Sequence, residues 1–292
     1  LIPNLLLVHH KEEFLNAYKH YLDMNLEQYK VEISREKGLK KLPKNIDLNL
    51  ELDSEIKTKP VRTQSGVAPV AIMTEPRECP HGTCTFCPGG VNSYFGNVPK
   101  SYTGNEPASM RAIRNKFDAY LQVFNRLEHY ILLDQVPEKV ELIIMGGTFL
   151  SYPVEYQDKF IRDAFQAMND FGELFFIDGK LNRNKFKEFF EFNLEFKSEE
   201  RTRRIHDKLL ALKKETNLGE EQIKNETAKI RCVSLTLETK SDWCFEQHIN
   251  QALKLGATRI EVGVQSLDDE VLKKVNRGHT VNDTIKSFEL LK

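Results

Sequence analysis

The sequence predicts an α/β fold, a parallel sheet either open or closing as a (β/α) barrel, preceded by an N-terminal helical appendage. Three observations carry this. Four β-rich apolar runs recur between residues 67 and 266, each followed by a segment at helical spacing, which is the pattern of a parallel sheet covered by helices. A cysteine-rich loop follows the first run. Glycines or polar residues end the other three, so the chemistry-bearing residues would share the rim at the strand C-termini, where such folds place their sites.

The elements follow in order. Residues 11–42 space Phe14, Tyr18, Tyr21 and Leu22 at helical intervals among charges, and 48–61 is a charged, proline-ended connector. Residues 1–60 are therefore read as a helical segment with its connector, and 61–292 as the α/β domain. VAPVAIMT at 67–74 predicts the first strand, KVELIIMGG at 139–147 the second, RCVSLTLET at 231–239 the third and RIEVGVQS at 259–266 the fourth. The final VNDTIKSFELLK spaces Ile285, Phe288 and Leu291 like the apolar face of a helix. That face stops abruptly and the chain opens on Leu1, so a piece of a longer protein is expected.

Charge and composition narrow the classes. With 42 Lys and Arg against 43 Asp and Glu, the net charge of −1 excludes a uniformly basic coat, and nucleic-acid contact is left to local patches. At 40% hydrophobic and 29% charged residues the chain can bury a sizeable core and lies outside the disordered class. No apolar run approaches the roughly 18 residues of a membrane span, and no secretory layout opens the chain. A cytoplasmic protein that does not cross the membrane is expected.

Five cysteines, an odd number, argue for reduced thiols rather than a disulfide framework. Cys79, Cys84 and Cys87 crowd into CPHGTCTFCPGG, an irregular loop broken by prolines and glycines and able to wrap a metal. Three thiols without a fourth fit either an iron–sulfur cluster with one iron left open or a zinc site completed by His81 or a distant ligand. Structural zinc usually takes two paired knuckles; only one C-x2-C pair is present, so the spacing favours the cluster. Cys232 and Cys244 lie in strand-like and helix-like sequence and read as small buried hydrophobes. Around the predicted rim, Gly146, Gly147 and Thr148 end the second strand, Glu238 and Thr239 the third, Gln265 and Ser266 the fourth. Glycines admit close backbone approach, and a carboxylate with an amide can hold the hydroxyl and amino groups of a polar cofactor.

The three-cysteine loop, with Phe86 before its last cysteine and a GG strand end after it, resembles the radical S-adenosylmethionine enzymes. RTQSGVAPVAIM, CPHGTCTFCPGG, SYTGNEPASMRAIR, MGGTF, LTLETKSD and GVQSLDDEVLKKVNRGHT, in this order, resemble the catalytic subunits of Elongator, the wobble-uridine tRNA-modifying family, in its archaeal or bacterial type. The resemblance runs from about Val61 to the C-terminus and is weaker over 170–229. The family's usual ETRPD reads ETKSD here, with Lys240 and Ser241 in place of arginine and proline.

The resemblance implies a radical SAM barrel. Cys79, Cys84 and Cys87 would hold a 4Fe–4S cluster whose open iron chelates S-adenosylmethionine and supplies adenosyl-radical chemistry. It implies that Gly146 and Gly147 meet the methionyl amino group, Glu238 and Gln265 the ribose, and Arg277 the methionyl carboxylate, with Thr148 also in the cofactor site. It also implies an acetyltransferase domain beyond Lys292 with acetyl-CoA as co-substrate, tRNA as partner, and either Elongator-type partner subunits or self-association. For tRNA the sequence offers two basic sets: Arg111, Arg114 and Lys116 after the cysteine loop, and residues 201–214 with Arg201, Arg203, Arg204, Lys208, Lys213 and Lys214 against one acid, Asp207. Two other readings compete. A radical SAM enzyme of another substrate class would lack SYTGNEPASMRAIR, and a zinc-stabilised RNA-binding module would leave GVQS and MGGTF without a role.

Overall fold

The computed structural model describes residues 26–36, 38, 41–51, 63–192 and 198–292, apart from the side chains of 47, 50 and 51. The chain divides into two compact units, 1–58 and 59–292. In the first, helices α1 (Leu26–Glu36) and α2 (Asn45–Glu51) bury Ile33 against Leu48, with Leu26 and Tyr29 packed on them. The expected helical pattern at Phe14, Tyr18, Tyr21 and Leu22 lies outside the described residues.

In the second unit, strands β1 (Ala68–Met73), β4 (Lys139–Met145), β7 (Arg231–Thr239) and β8 (Arg259–Val262) pair in that order, all parallel. These are the four predicted runs. Val70, Ile72, Val140, Leu142, Ile144, Leu235 and Leu237 are buried in the sheet, the outcome expected where helices cover β-branched and aliphatic strands. No barrel closes among the described residues; the sheet is a four-stranded arc.

Between β1 and β4 lie a two-stranded hairpin, β2 (Gly90–Ser93) and β3 (Gly96–Val98), then helices α3 (Pro107–Arg114) and α4 (Ala119–Leu132). After β4 runs α5 (Val154–Phe175), packed on α4 through Phe124 and Phe171, whose ring centroids are 5.4 Å apart. A short hairpin, β5 (Phe176–Ile177) and β6 (Lys180–Leu181), leads to α6 (Arg183–Phe189), α7 (Glu199–Leu212) and α8 (Leu218–Glu226), which return the chain to β7. Phe175, Phe186 and Phe190 close this layer, with centroid separations of 4.9 to 5.5 Å. Helix α9 (Glu246–Lys254) precedes β8, and α10 (Asp269–Lys274) and α11 (Val281–Leu290) follow it. Among the described residues no helix is long and apolar enough to cross a membrane.

The register sets the height of the rim. Met73 pairs with Met145, Ile144 with Leu237, and Thr239 with Val262. Thr74, Gly146, Lys240 and Gly263 are therefore the first residues past the sheet, all at one end.

The basic sets are divided between buried and exposed positions. Helix α3 runs down the sheet away from the rim: Ser109 Oγ lies 3.1 Å from Met73 Sδ, and Arg111 further along donates from Nη2 to the Ala71 carbonyl at 2.7 Å. Arg111 is only 8% exposed, and burial pulls its guanidinium down to about 10, so it ties α3 to β1. Arg114 and Lys116 are exposed but stand at the end of α3 remote from the rim. On α7, Arg201, Ile205, His206 and Leu209 form the buried face. Arg201 reaches the Phe190 carbonyl and, at 3.2 Å, Glu128 on α4. Arg204 pairs with Glu191 and Glu200, Lys208 with Glu191, and Lys213 with Asp118 and Asp163. Much of the run's charge is thus spent inside the fold, while Arg203 stays exposed.

Candidate functional site

The loop after β1 lays its three cysteines against the rim. Turn bonds from Gly82 N–H to Cys79 O and from Cys87 N–H to Cys84 O fold it back on itself, and Thr85 N–H donates to Val275 O, tying it to the segment after α10. Asn276 Nδ2 donates to Thr83 O at 3.0 Å, a second tie to the same segment. The result is a cavity of about 350 Å³, lined by Cys79, Cys84 and Cys87 together with Gly147, Thr148, Glu238, Gln265 and Arg277. Eight of the residues singled out in the sequence come together here. Gly146 stands just behind, reaching the site through its N–H.

Each sulfur has its own surroundings. Burial pushes the Cys79 thiol up, opposed chiefly by the Lys100 ammonium. Cys84 Sγ lies 3.2 Å from His81 Nε2 and 3.7 Å from Arg277 Nη1, and Cys87 Sγ accepts the Ser101 N–H at 3.3 Å. Cationic and N–H donors of this kind stabilise the thiolate form that a metal requires. Burial, with Lys240 and Arg277 nearby, brings His81 down to about 4, so its imidazole is neutral.

These residues fit a four-iron cluster: three thiols line one cavity, with no further cysteine among its residues, the ligand set of an iron–sulfur cube whose fourth iron is left open. Two buried nitrogens facing this region, Arg277 Nε and His81 Nδ1, lack a protein partner, as expected of groups that a bound polar ligand would satisfy.

Opposite the thiols sits a carboxylate. Glu238 accepts from the Tyr102 hydroxyl at 2.8 Å on one oxygen and from the Gly146 N–H at 3.3 Å on the other. Burial raises its pKa, while the Tyr102 and Gly146 bonds oppose that shift. Gly146 is required there: its φ is +123° and a Cβ would collide with Thr74 Oγ1. Arg277 donates to Gly263 O at 2.6 Å, which holds its guanidinium across the end of β8. Gln265 lines the cavity from a left-handed backbone, φ 69°.

Sequence reasoning missed Tyr102, Lys100 and Lys240. Tyr102 lay in the flagged SYTGNEP stretch, but its partner is 136 positions away. Buried Lys100 pairs with Glu78 at 2.9 Å and donates to Thr83. Lys240, the departure from the family pattern, is fully buried, forms an ion pair with Asp242 at 2.8 Å and donates to Arg277 O at 2.9 Å. It staples the β7 loop to the Arg277 loop, so the exchange is accommodated. Cys232 and Cys244 line no part of this cavity, and burial pushes their thiols up to about 12 and about 11.

The profile of the Radical SAM superfamily matches residues 76–292. The chain belongs to this superfamily. Membership implies S-adenosylmethionine and a 4Fe–4S cluster as the radical SAM cofactors, in keeping with the three-thiol cavity. The chain is similar to a tRNA uridine(34) acetyltransferase of Methanocaldococcus infernus, 47% identical over 81% of this chain and 36% of that protein. It is also similar to Elongator complex protein 3 of Dictyostelium discoideum, 35% identical over 95% of this chain and 44% of that protein. A solved structure of archaeal Methanocaldococcus infernus Elp3 with an N-terminal deletion superposes with a TM-score of 0.48 at 34% identity, covering 76% of this chain and 34% of that one. The chain therefore spans less than half the length of these relatives.

Proposed function

We propose that this chain is the radical SAM portion of an enzyme that modifies the wobble uridine of tRNA, a tRNA uridine(34) acetyltransferase. The carrying observation is a single cavity that gathers three cysteines and a carboxylate–glycine–arginine rim, in a chain 47% identical over 81% of its length to a protein of that name. Bound S-adenosylmethionine with its cluster supplies one-electron, radical chemistry at carbon.

The chain's own residues do the rest. Cys79, Cys84 and Cys87 would hold three irons and leave the fourth to the cofactor. Gly146, Gly147 and Thr148 would lie against its amino group. Glu238, fixed by Tyr102, and Gln265 would accept from its ribose hydroxyls, and Arg277 would offer its guanidinium to its carboxylate. Acetyl-CoA is the co-substrate, bound by the length of such enzymes that this chain does not span. The free thiols suit the reducing cytoplasm.

tRNA is the partner, reached through phosphates by exposed cations and through its target base, which must leave the stack to enter the cavity. Arg114, Lys116, Arg203 and Lys214 are the predicted cations that remain exposed. Titrating a tRNA transcript at several salt concentrations against the cluster-bearing chain tests this. The chain should bind, and reversing Arg114 and Lys116 to glutamate should flatten the slope of log affinity against log salt by about one to two units, since each phosphate contact contributes roughly 0.7 to 0.9. Absence of tRNA binding at low salt would overturn the function, and an unaltered slope would move the phosphate path elsewhere.

A further inference from the structure

The β2–β3 hairpin is used by none of the chemistry above, yet it is rooted in the cavity wall. Its first strand begins three residues after Cys87 and its second ends two residues before Lys100, both of which line the cavity. The roots are tightly joined: a Cβ on Gly89 would collide with the Pro99 and Tyr102 carbonyls. Four residues of strand carry the tip about 13 Å from those roots.

At the tip Tyr94 is 95% exposed and Phe95 43% exposed, with ring centroids 5.1 Å apart in an edge-to-face pair. The turn beneath them is fixed by its own polar side chains. Ser93 Oγ donates to Gly96 O at 2.7 Å and accepts the Phe95 N–H, and Asn92 N–H donates to Asn97 Oδ1 at 2.9 Å. A large aromatic ring set in water on a turn whose backbone is fixed, beside a site, is presented to a partner at reduced entropic cost.

Composition selects the partner's chemistry. From Cys87 to Pro99 the chain has no Lys, Arg, Asp or Glu, so the hairpin offers nothing to a phosphate and nothing to a basic peptide. It offers π faces, with Phe95 buttressing Tyr94, and unpaired bases stack on such faces whatever their sequence.

We propose that the Tyr94–Phe95 tip is a stacking platform for an unpaired nucleobase of the RNA substrate, next to the base that enters the cavity. The proposal rests on the tRNA reading above and adds a contact that no charge supplies. The platform holds the strand flanking the target, so that the target base is splayed toward the rim.

The test uses a tRNA transcript carrying 2-aminopurine in its anticodon loop, with wild type, Tyr94→Ala and Tyr94→Trp compared at two salt concentrations. Tyr94→Ala should weaken binding at least fivefold, abolish the 2-aminopurine quenching seen with wild type, and leave the salt slope unchanged, because stacking releases no counterions. Tyr94→Trp should retain both affinity and quenching. Because Tyr94 is almost fully exposed, unfolding temperatures should match across the three proteins. Unchanged RNA affinity in Tyr94→Ala overturns the platform, and so does a loss that flattens the salt slope or that tryptophan fails to restore. If self-association of the chain falls instead, the tip is a protein contact. If wild type binds no tRNA, the tRNA reading and the platform fall together.

Discussion

Alanine at Cys79, Cys84 or Cys87 is expected to strip iron and sulfide from the anaerobically prepared chain and to abolish cleavage of S-adenosylmethionine. The effect should be all or none, because a cluster held by three thiolates has no spare ligand: each loss opens a second iron to solvent. The other two cysteines are outside the cavity. Cys232→Ala and Cys244→Ala should keep the full iron content and differ from wild type only in stability. Cys232 lies near the start of β7, at the end of the strand remote from the rim, and its thiol donates to the Ser234 carbonyl, a local role. Iron and sulfide analysis of the five variants side by side reads the outcome directly.

Loss of Glu238 or Gln265, both in the cavity wall, should act on the cofactor and spare the metal. Glu238→Ala and Gln265→Ala are each expected to weaken S-adenosylmethionine binding by about 1 to 3 kcal/mol, roughly five- to 150-fold, the cost of leaving polar partners unpaired. Glu238 should stand at the upper end, since its removal also strands the Tyr102 hydroxyl and the Gly146 N–H, which now meet on its two oxygens. Glu238→Gln, which keeps an acceptor for Tyr102, should lose less. Equilibrium dialysis of radiolabelled cofactor against cluster-loaded protein checks this, with iron content as the control. Unchanged affinity in both alanine variants would remove these residues from the cofactor site.

The strands were legible because their signal is local. Apolar runs such as VELIIM can only be satisfied by burial, and punctuation by Gly146 and Gly147 marks where burial ends. The predicted rim follows from parallel pairing alone, and the register confirms that Met73, Met145 and Glu238 end at one level. Side-chain fate was less legible, because it depends on partners far along the chain. Arg111 and Arg201 read as members of basic runs, yet α3 and α7 are amphipathic helices whose buried faces include these arginines. Their satisfaction comes from the Ala71 carbonyl and from Glu128, 40 and 73 positions away. A long guanidinium stem packs as a hydrophobe while its head finds an acceptor, and no charge count distinguishes that from a solvated face. Tyr102 and Lys240 were missed for the same reason. The β2–β3 hairpin escaped notice because its strands are too short, and too rich in glycine and asparagine, to carry a period of two.

The central claim is that three cysteines on one rim hold a four-iron cluster and not a zinc ion. Strictly anaerobic purification of the unaltered chain, followed by iron, acid-labile sulfide and zinc analysis, tests it most directly. About four irons and four sulfides per chain, with zinc well below one, is the predicted result. One zinc per chain, with neither iron nor sulfide after anaerobic reconstitution, would contradict it.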